Sequence, residues 1–323
     1  MAEMRKKRIA PVIVAIALLL WSSVVWSQQE PQYTHNMFTQ MAVNPAYAGS
    51  SGDISVTGLM REQWLGFKDM DGNKVAPQTF LLSMDMPVSL LRGGIGISIL
   101  NDKLGFEKNI GLRLNYAYRT EFWNGQIAFG PVIGFLNKTI DFSMFKPTQP
   151  GDPILATAEE KTMMLDLGVG VFYEVPKKYY AGISTSQLLQ TAATLGMETA
   201  NYNLKRHYYI QGGFYYVLPD NPFLRLEPSI MFKTDFVSSQ FDLNTLAVYN
   251  DKFWGGLTYR YQDALALLIG ISYKSFKLGY SYDITTSKLG GAGSTGSHEI
   301  VLNYRFKLEL EKSPRGYRNT RYL

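Results

Sequence analysis

Apolar and polar residues alternate with a period of two over most of this chain, from about residue 53 onward. From Ile110 one face reads Ile110, Leu112, Leu114, Tyr116 and Tyr118, and the other Gly111, Arg113, Asn115, Ala117 and Arg119. Leu224, Leu226, Ile230 and Phe232 likewise oppose Arg225, Glu227, Ser229 and Lys233. Phe276, Leu278, Tyr280 and Tyr282 oppose Lys277, Gly279, Ser281 and Asp283, and Ile300, Leu302, Tyr304 and Phe306 oppose Val301, Asn303, Arg305 and Lys307. Successive side chains of a strand point to opposite faces, so this period predicts strands rather than helices. Fourteen are expected, over 53–62, 76–86, 93–100, 107–120, 125–138, 162–174, 178–186, 206–217, 223–234, 240–249, 253–261, 264–273, 276–284 and 298–308.

One such strand fits a soluble sandwich, with its apolar face in the core, or a membrane barrel, with its apolar face on lipid. The connections separate the two. Links after even strands are mostly tight, as at Glu121 to Asn124, Asn250 to Lys252 and Lys274-Ser275, whereas 63–75, 139–161, 187–205 and 285–297 follow odd strands and are long. A barrel with both termini in the periplasm sorts its connections in this way, with short periplasmic turns and longer outer loops. Trp123, Tyr173, Tyr179, Tyr180, Tyr216, Phe223, Tyr249, Phe253, Trp254, Tyr273 and Phe276 lie beside the tight turns, as an interfacial girdle requires. The expected fold is an all-β, transmembrane antiparallel β-barrel of about fourteen strands with an N-terminal periplasmic segment.

The N-terminus sets the compartment. Arg5, Lys6, Lys7 and Arg8 precede an apolar stretch, Ile9 to Leu20, and small residues at Val25 and Ser27 suit cleavage before Gln28. Residues 1–27 are therefore read as a signal peptide, 28–52 as a periplasmic or plug segment, 53–308 as an outer-membrane barrel and 309–323 as a periplasmic basic tail. The chain has no cysteine, so no disulfide framework holds it. Loss of residues 1–27 removes four basic groups and one acid and brings the formal charge from +5 to +2. The basic balance then points to no nucleic-acid partner.

Three stretches resemble a known family: "NMFTQMAVNPAYAG" (Asn36 to Gly49), "REQWLGF" (Arg61 to Phe67) and "APQTFLLSMDMP" (Ala76 to Pro87). Together they are similar to the PorP/SprF outer-membrane proteins of the type IX secretion system of Bacteroidota, most strongly over residues 30–100. The resemblance implies a barrel that works with other secretion components in the outer membrane and periplasm. It also implies export or surface attachment of a secreted protein, such as a large adhesin with a type B C-terminal domain, and a link to gliding motility. It implies no catalysis and no cofactor.

Candidate partner-binding residues are Asn44, Pro45, Ala46, Tyr47 and Gly49 in the first stretch and Arg61 and Trp64 in the second. Arg315, Tyr317, Arg318 and Arg321 in the basic-aromatic tail complete the set. For residues 36–49 the competing role is structural, with Pro45 and Gly49 shaping turns across the barrel mouth and Tyr47 against the wall. The lumen-facing charges Arg61, Arg113, Arg119, Asp166, Glu174, Arg225, Glu227, Lys233, Asp242, Arg260, Asp283 and Arg305 form either a pore lining or a paired network, and the network is favoured because buried charges need partners. Loops 139–161 and 187–205 mix apolar and polar residues and are candidates for protein contact. His35, His207 and His298 have no local nucleophile or metal-ligand pattern, and "GGAGSTG" (Gly290 to Gly296) lacks the Lys-Ser/Thr of a phosphate loop. No catalytic, cofactor or metal site is expected. Lipid and lipopolysaccharide are the expected surroundings. An outer-membrane porin or a transporter of hydrophobic substrates is the alternative function, and a soluble exported sandwich a third.

Overall fold

A computed structural model of the chain describes residues 30–69, 71–144, 159–195, 200–287 and 294–307. The strands are β1 (Ile54–Glu62), β2 (Gln78–Val88), β3 (Gly93–Leu104), β4 (Glu107–Phe122), β5 (Gly125–Asp141), β6 (Glu159–Val175), β7 (Tyr179–Ser186), β8 (Ala192–Leu195), β9 (Ala200–Asn203), β10 (His207–Phe214), β11 (Tyr216–Leu218), β12 (Asn221–Thr234), β13 (Ser239–Tyr249), β14 (Phe253–Arg260), β15 (Ala264–Tyr273), β16 (Phe276–Thr285) and β17 (Ser297–Phe306). Apart from β8 and β9, and with β10 and β11 lying end to end, each strand pairs antiparallel with its neighbours in sequence. The sheet closes where β1 meets β17, with Ile54 opposite Phe306 and Glu62 opposite His298.

β10 and β11 form one wall strand, because Gly213 opposite Ser229 and Tyr216 opposite Leu226 lie in a single register along β12. The barrel therefore has fourteen walls. The interruption between β10 and β11 faces Glu227-Pro228, and a second gap, at Tyr116-Ala117 of β4, faces Gly130-Pro131 of β5. In both places proline brings no N–H to the ladder. The hairpin β8–β9 occupies the connection expected over 187–205, a segment with no alternation long enough to predict it.

Burial is inverted relative to a soluble sheet. On β2, Thr79, Leu81, Ser83 and Asp85 are buried while Phe80, Leu82 and Met84 are exposed. The outward band continues around the barrel through Ile97, Ile110, Leu114, Phe129, Ile133, Leu257, Leu267 and Ile300. An apolar outer face over a polar interior is the arrangement hydrocarbon demands, and closure leaves no unpaired edge there. Turns after even-numbered walls are short, and the connections of 63–77, 142–158, 187–206 and 286–296 all follow odd-numbered walls. Trp123, Tyr179, Phe223, Tyr249, Phe253, Tyr273 and Phe276 face outward at the tight-turn end. Two aromatics expected in that girdle face the lumen instead. Tyr180 stacks on Phe172 at 5.7 Å, and Trp254 is buried against Phe38 at 5.1 Å. Each lies one residue beyond an outward ring, Tyr179 or Phe253, and the pleat turns it inward.

Candidate functional site

The lumen is filled by the segment that precedes β1. Its conformation is irregular, with a 3-10 turn at Asn36–Phe38, a four-residue helix at Gln40–Val43 and a second 3-10 turn at Pro45–Tyr47. Pro45 sits at the first position of that turn, and Asn44 caps it by accepting the Ala46 N–H at 3.0 Å. Thr34, His35, Asn44, Ala46 and Ala48 have no exposed surface. A segment of such short elements has no stable conformation alone, and the wall supplies the contacts that hold it.

Near the end that carries the long loops, Thr34 and His35 enter a knot of buried charge. Arg61 on β1 meets Asp283 of β16 at 2.8 Å and Glu299 of β17 at 3.1 Å. Arg260 on β14 meets Asp242 of β13 and Asp283, both at 3.3 Å. The segment joins through its backbone. The N–H groups of Thr34 and His35 donate to the two Glu299 carboxylate oxygens at 2.9 and 2.7 Å. The Thr34 hydroxyl donates to Asp283 at 2.7 Å and accepts from Arg61 at 2.9 Å, while His35 Nδ1 lies 2.7 Å from Glu299. Each ion thus has charged and neutral partners, as buried charges require. Beneath the knot, Phe38 packs on Trp254, and Tyr33, Phe38 and Ala42 cover Leu59, Leu81 and Val301.

At the tight-turn end the contacts are of shape and backbone. Asn44 Nδ2 donates to the Val171 carbonyl at 3.0 Å, and a Cβ at Gly170 would lie 2.1 Å from Asn44 Oδ1. Only glycine admits that approach. Gly49 has φ +71, and its N–H donates to Asp85 at 2.9 Å. Wall side chains donate to the segment's carbonyls: Arg119 to Ala48 at 3.2 Å, Ser184 to Val43 at 2.7 Å and Arg113 to Ala42 at 3.1 Å. The Tyr47 ring meets Phe172 edge-on at 5.4 Å.

A third anchor is Glu30. Its carboxylate accepts from Arg113 at 2.7 Å, from Ser186 and Gln187 at 3.1 Å each, and from the Tyr209 hydroxyl. Arg113 also pairs with Asp166 at 3.1 Å. Above it, toward the long loops, lies a cavity of about 130 Å³ lined in part by Leu81, Leu100, Leu136, Asp102 and His207. Among the described residues no group of histidines and carboxylates could hold a metal ion.

Of the candidate partner-binding residues, Asn44, Pro45, Ala46 and Gly49 are buried in the lumen and Tyr47 is partly buried there. Arg61 belongs to the charge knot. Trp64 lies apart, in connection 63–77, with φ +53 and its ring 6.4 Å from Phe67. Arg315, Tyr317, Arg318 and Arg321 lie outside the described residues, as do the segment read as signal peptide and most of loop 139–161. The twelve predicted lumen charges face inward, but Arg119 and Lys233 bond carbonyls of the segment, Lys233 reaching Glu30 O at 3.0 Å. Sequence reasoning missed Glu30, Thr34, Asp85 and Glu299. Glu299 was legible, since it shares parity with Val301 and Asn303, whereas the irregular 30–36 stretch has no period to read.

Residues 25–304 match the family described as type IX secretion system membrane protein PorP/SprF. No curated protein matches the chain significantly in sequence. Among solved structures, the toluene transporter TbuX of Ralstonia pickettii aligns with a TM-score of 0.50 at 12% identity, over 83% of this chain and 93% of TbuX. The outer membrane protein Omp33 of Acinetobacter baumannii aligns at 0.47 and 5% identity, over 79% of this chain and 98% of Omp33. The likeness to TbuX is one of barrel fold.

Proposed function

Since the chain belongs to the PorP/SprF family of type IX secretion system membrane proteins, we propose that it is a closed outer-membrane platform that supports export or surface attachment of a secreted partner and does not itself conduct that partner. The partner class is a large adhesin with a type B C-terminal domain. The observation that carries the platform reading is the seated segment 30–52, whose buried residues join β1, β13, β14, β16 and β17 at one end and β2 to β7 at the other. A lumen so filled has no passage for a chain.

In this reading cleavage occurs before Gln28, and the tight turns and both barrel termini face the periplasm. Asn44, Pro45, Ala46, Tyr47 and Gly49 serve the barrel as its internal anchor. Partner contacts then fall to the connections that follow odd walls, Trp64 among them, and to the basic tail around Arg315, Tyr317, Arg318 and Arg321. The test is isolation of the full chain from native membranes. Recovery of a large secreted protein with the wild type, and its loss on Trp64→Ala or on truncation after Lys307, supports the reading. A barrel recovered alone from cells that are actively secreting overturns it.

A channel for hydrophobic substrates is the alternative, and the cavity beside Leu81, Leu100 and Leu136 favours it. TbuX, a toluene transporter by name, shares the fold at 12% identity. That cavity ends on Glu30, Pro31 and Tyr33 of the filling segment. Steady ion conductance or substrate uptake by the pure protein would decide for the channel.

A further inference from the structure

The outer wall is apolar around most of its circumference, but one row breaks the pattern. Lys103 of β3 lies directly opposite Lys108 of β4, Lys108 opposite Thr139 of β5, and Thr139 opposite Lys161 of β6. All four share parity with outward residues of their strands, such as Ile99, Ile110, Phe135 and Met163, and the three lysines are exposed. The row sits at the long-loop end of the barrel, where the apolar band stops. With strands about 4.8 Å apart, it spans roughly 14 Å.

Two features set this row apart. Like charges directly opposite on neighbouring strands repel, and Lys103 faces Lys108 with no acid between them. Lys161 meets Glu159 at 3.1 Å, and among the described residues neither Lys103 nor Lys108 has an ion pair. The lysines are also confined to this sector. The same level continues through Gln78 of β2, Glu62 of β1 and His298 of β17, and further round the barrel the outward ends carry Tyr208, Phe241, Tyr259, Leu265 and Ile284. One step toward the membrane middle the row reads Asn101, Ile110, Asn137 and Met163, and one step further Ile99, Leu112, Phe135 and Leu165 begin the apolar wall. Cations over a polar level with an apolar wall beneath complement a molecule with anionic oxygens and a polar head above and acyl chains below.

We propose that the Lys103–Lys108–Lys161 row is a binding site for a phosphorylated, multiply acylated glycolipid of the lipid A class, held at the outer leaflet. Its leaflet rests on the orientation proposed above, whereas its chemistry does not. The phosphate relieves the Lys103–Lys108 repulsion and the acyl chains lie on the β3–β6 wall. The platform thereby acquires one face coated by a fixed lipid, which leaves the aromatic sector on the far side free for protein neighbours.

The test uses the full mature barrel in neutral detergent, with binding of phosphorylated lipid A followed by native mass spectrometry and by thermal unfolding. Wild type should retain the lipid and gain thermal stability from it. Combined Lys103→Gln, Lys108→Gln and Lys161→Gln should weaken binding roughly tenfold to a hundredfold. Lys177→Gln with Lys178→Gln, in the turn between β6 and β7, should leave it unchanged. Without lipid, Lys108→Gln alone should match or exceed wild-type stability, which separates loss of the site from loss of the fold. Equal binding by the triple variant, or equal binding of dephosphorylated lipid A or phosphatidylglycerol, overturns the site. Because binding is read in detergent, failure of the type IX role leaves this result standing, and an inverted orientation is read separately by amine labelling of whole cells.

Discussion

At the scale of single residues, the filled lumen depends on two unlike kinds of contact. Gly170 is a matter of space: Gly170→Ala would drive a methyl group into Asn44, with an expected loss of about 1–3 kcal/mol. Gly58, whose Cβ would meet nothing within 4 Å, is the matched control, and Gly58→Ala should be silent in the same urea titration. Arg61 is a matter of charge. Arg61→Met leaves Asp283 and Glu299 short of a partner in a site with no exposure, and the expected loss is about 3–5 kcal/mol. If Arg61→Met unfolds at the wild-type urea concentration, the knot does not hold the segment.

At the scale of elements, the wall strands and the filling segment obey different rules. A strand's alternation is local, so β4 offers a direct check. The chain has no cysteine, which makes single replacements clean reporters. Leu114→Cys should react with a lipid-phase reagent and Asn115→Cys should not, because Leu114 is exposed on the outer face and Asn115 is buried inside. The reverse result would turn the barrel inside out. The segment is held by contacts to walls on opposite sides, so removing residues 36–49 should leave the pairing of β1 with β17 intact and open the lumen. Planar-bilayer recordings should then show ion conductance in the deletion variant and none in wild type.

At the scale of the whole molecule, closure converts fourteen marginal strands into one stable object. Every backbone group inside the membrane finds a partner only when β1 reaches β17. The barrel should therefore migrate as a compact species on gels until heated, with no partly closed form between. The long connections after odd walls should be cut by protease added to intact cells, and the tight turns spared. Cutting at the turns with the loops untouched would reverse the proposed orientation.

The amino-acid sequence by itself determined the strand number, the outward face and the sorting of short and long connections, because each depends on residues adjacent in the chain. It also marked the Asn44–Gly49 stretch as special, since Asn-Pro followed by small residues and glycine has few uses in a strand protein. Only the tertiary structure decided where that stretch sits. Asn44 meets Gly170, Thr34 meets Asp283, and Glu30 meets Arg113 across separations that local patterning does not encode. The break at Tyr215, set by Glu227-Pro228 on the facing strand, has the same origin. Which residues share a level of the lumen is set by register and closure, and these exist only once the sheet has met itself.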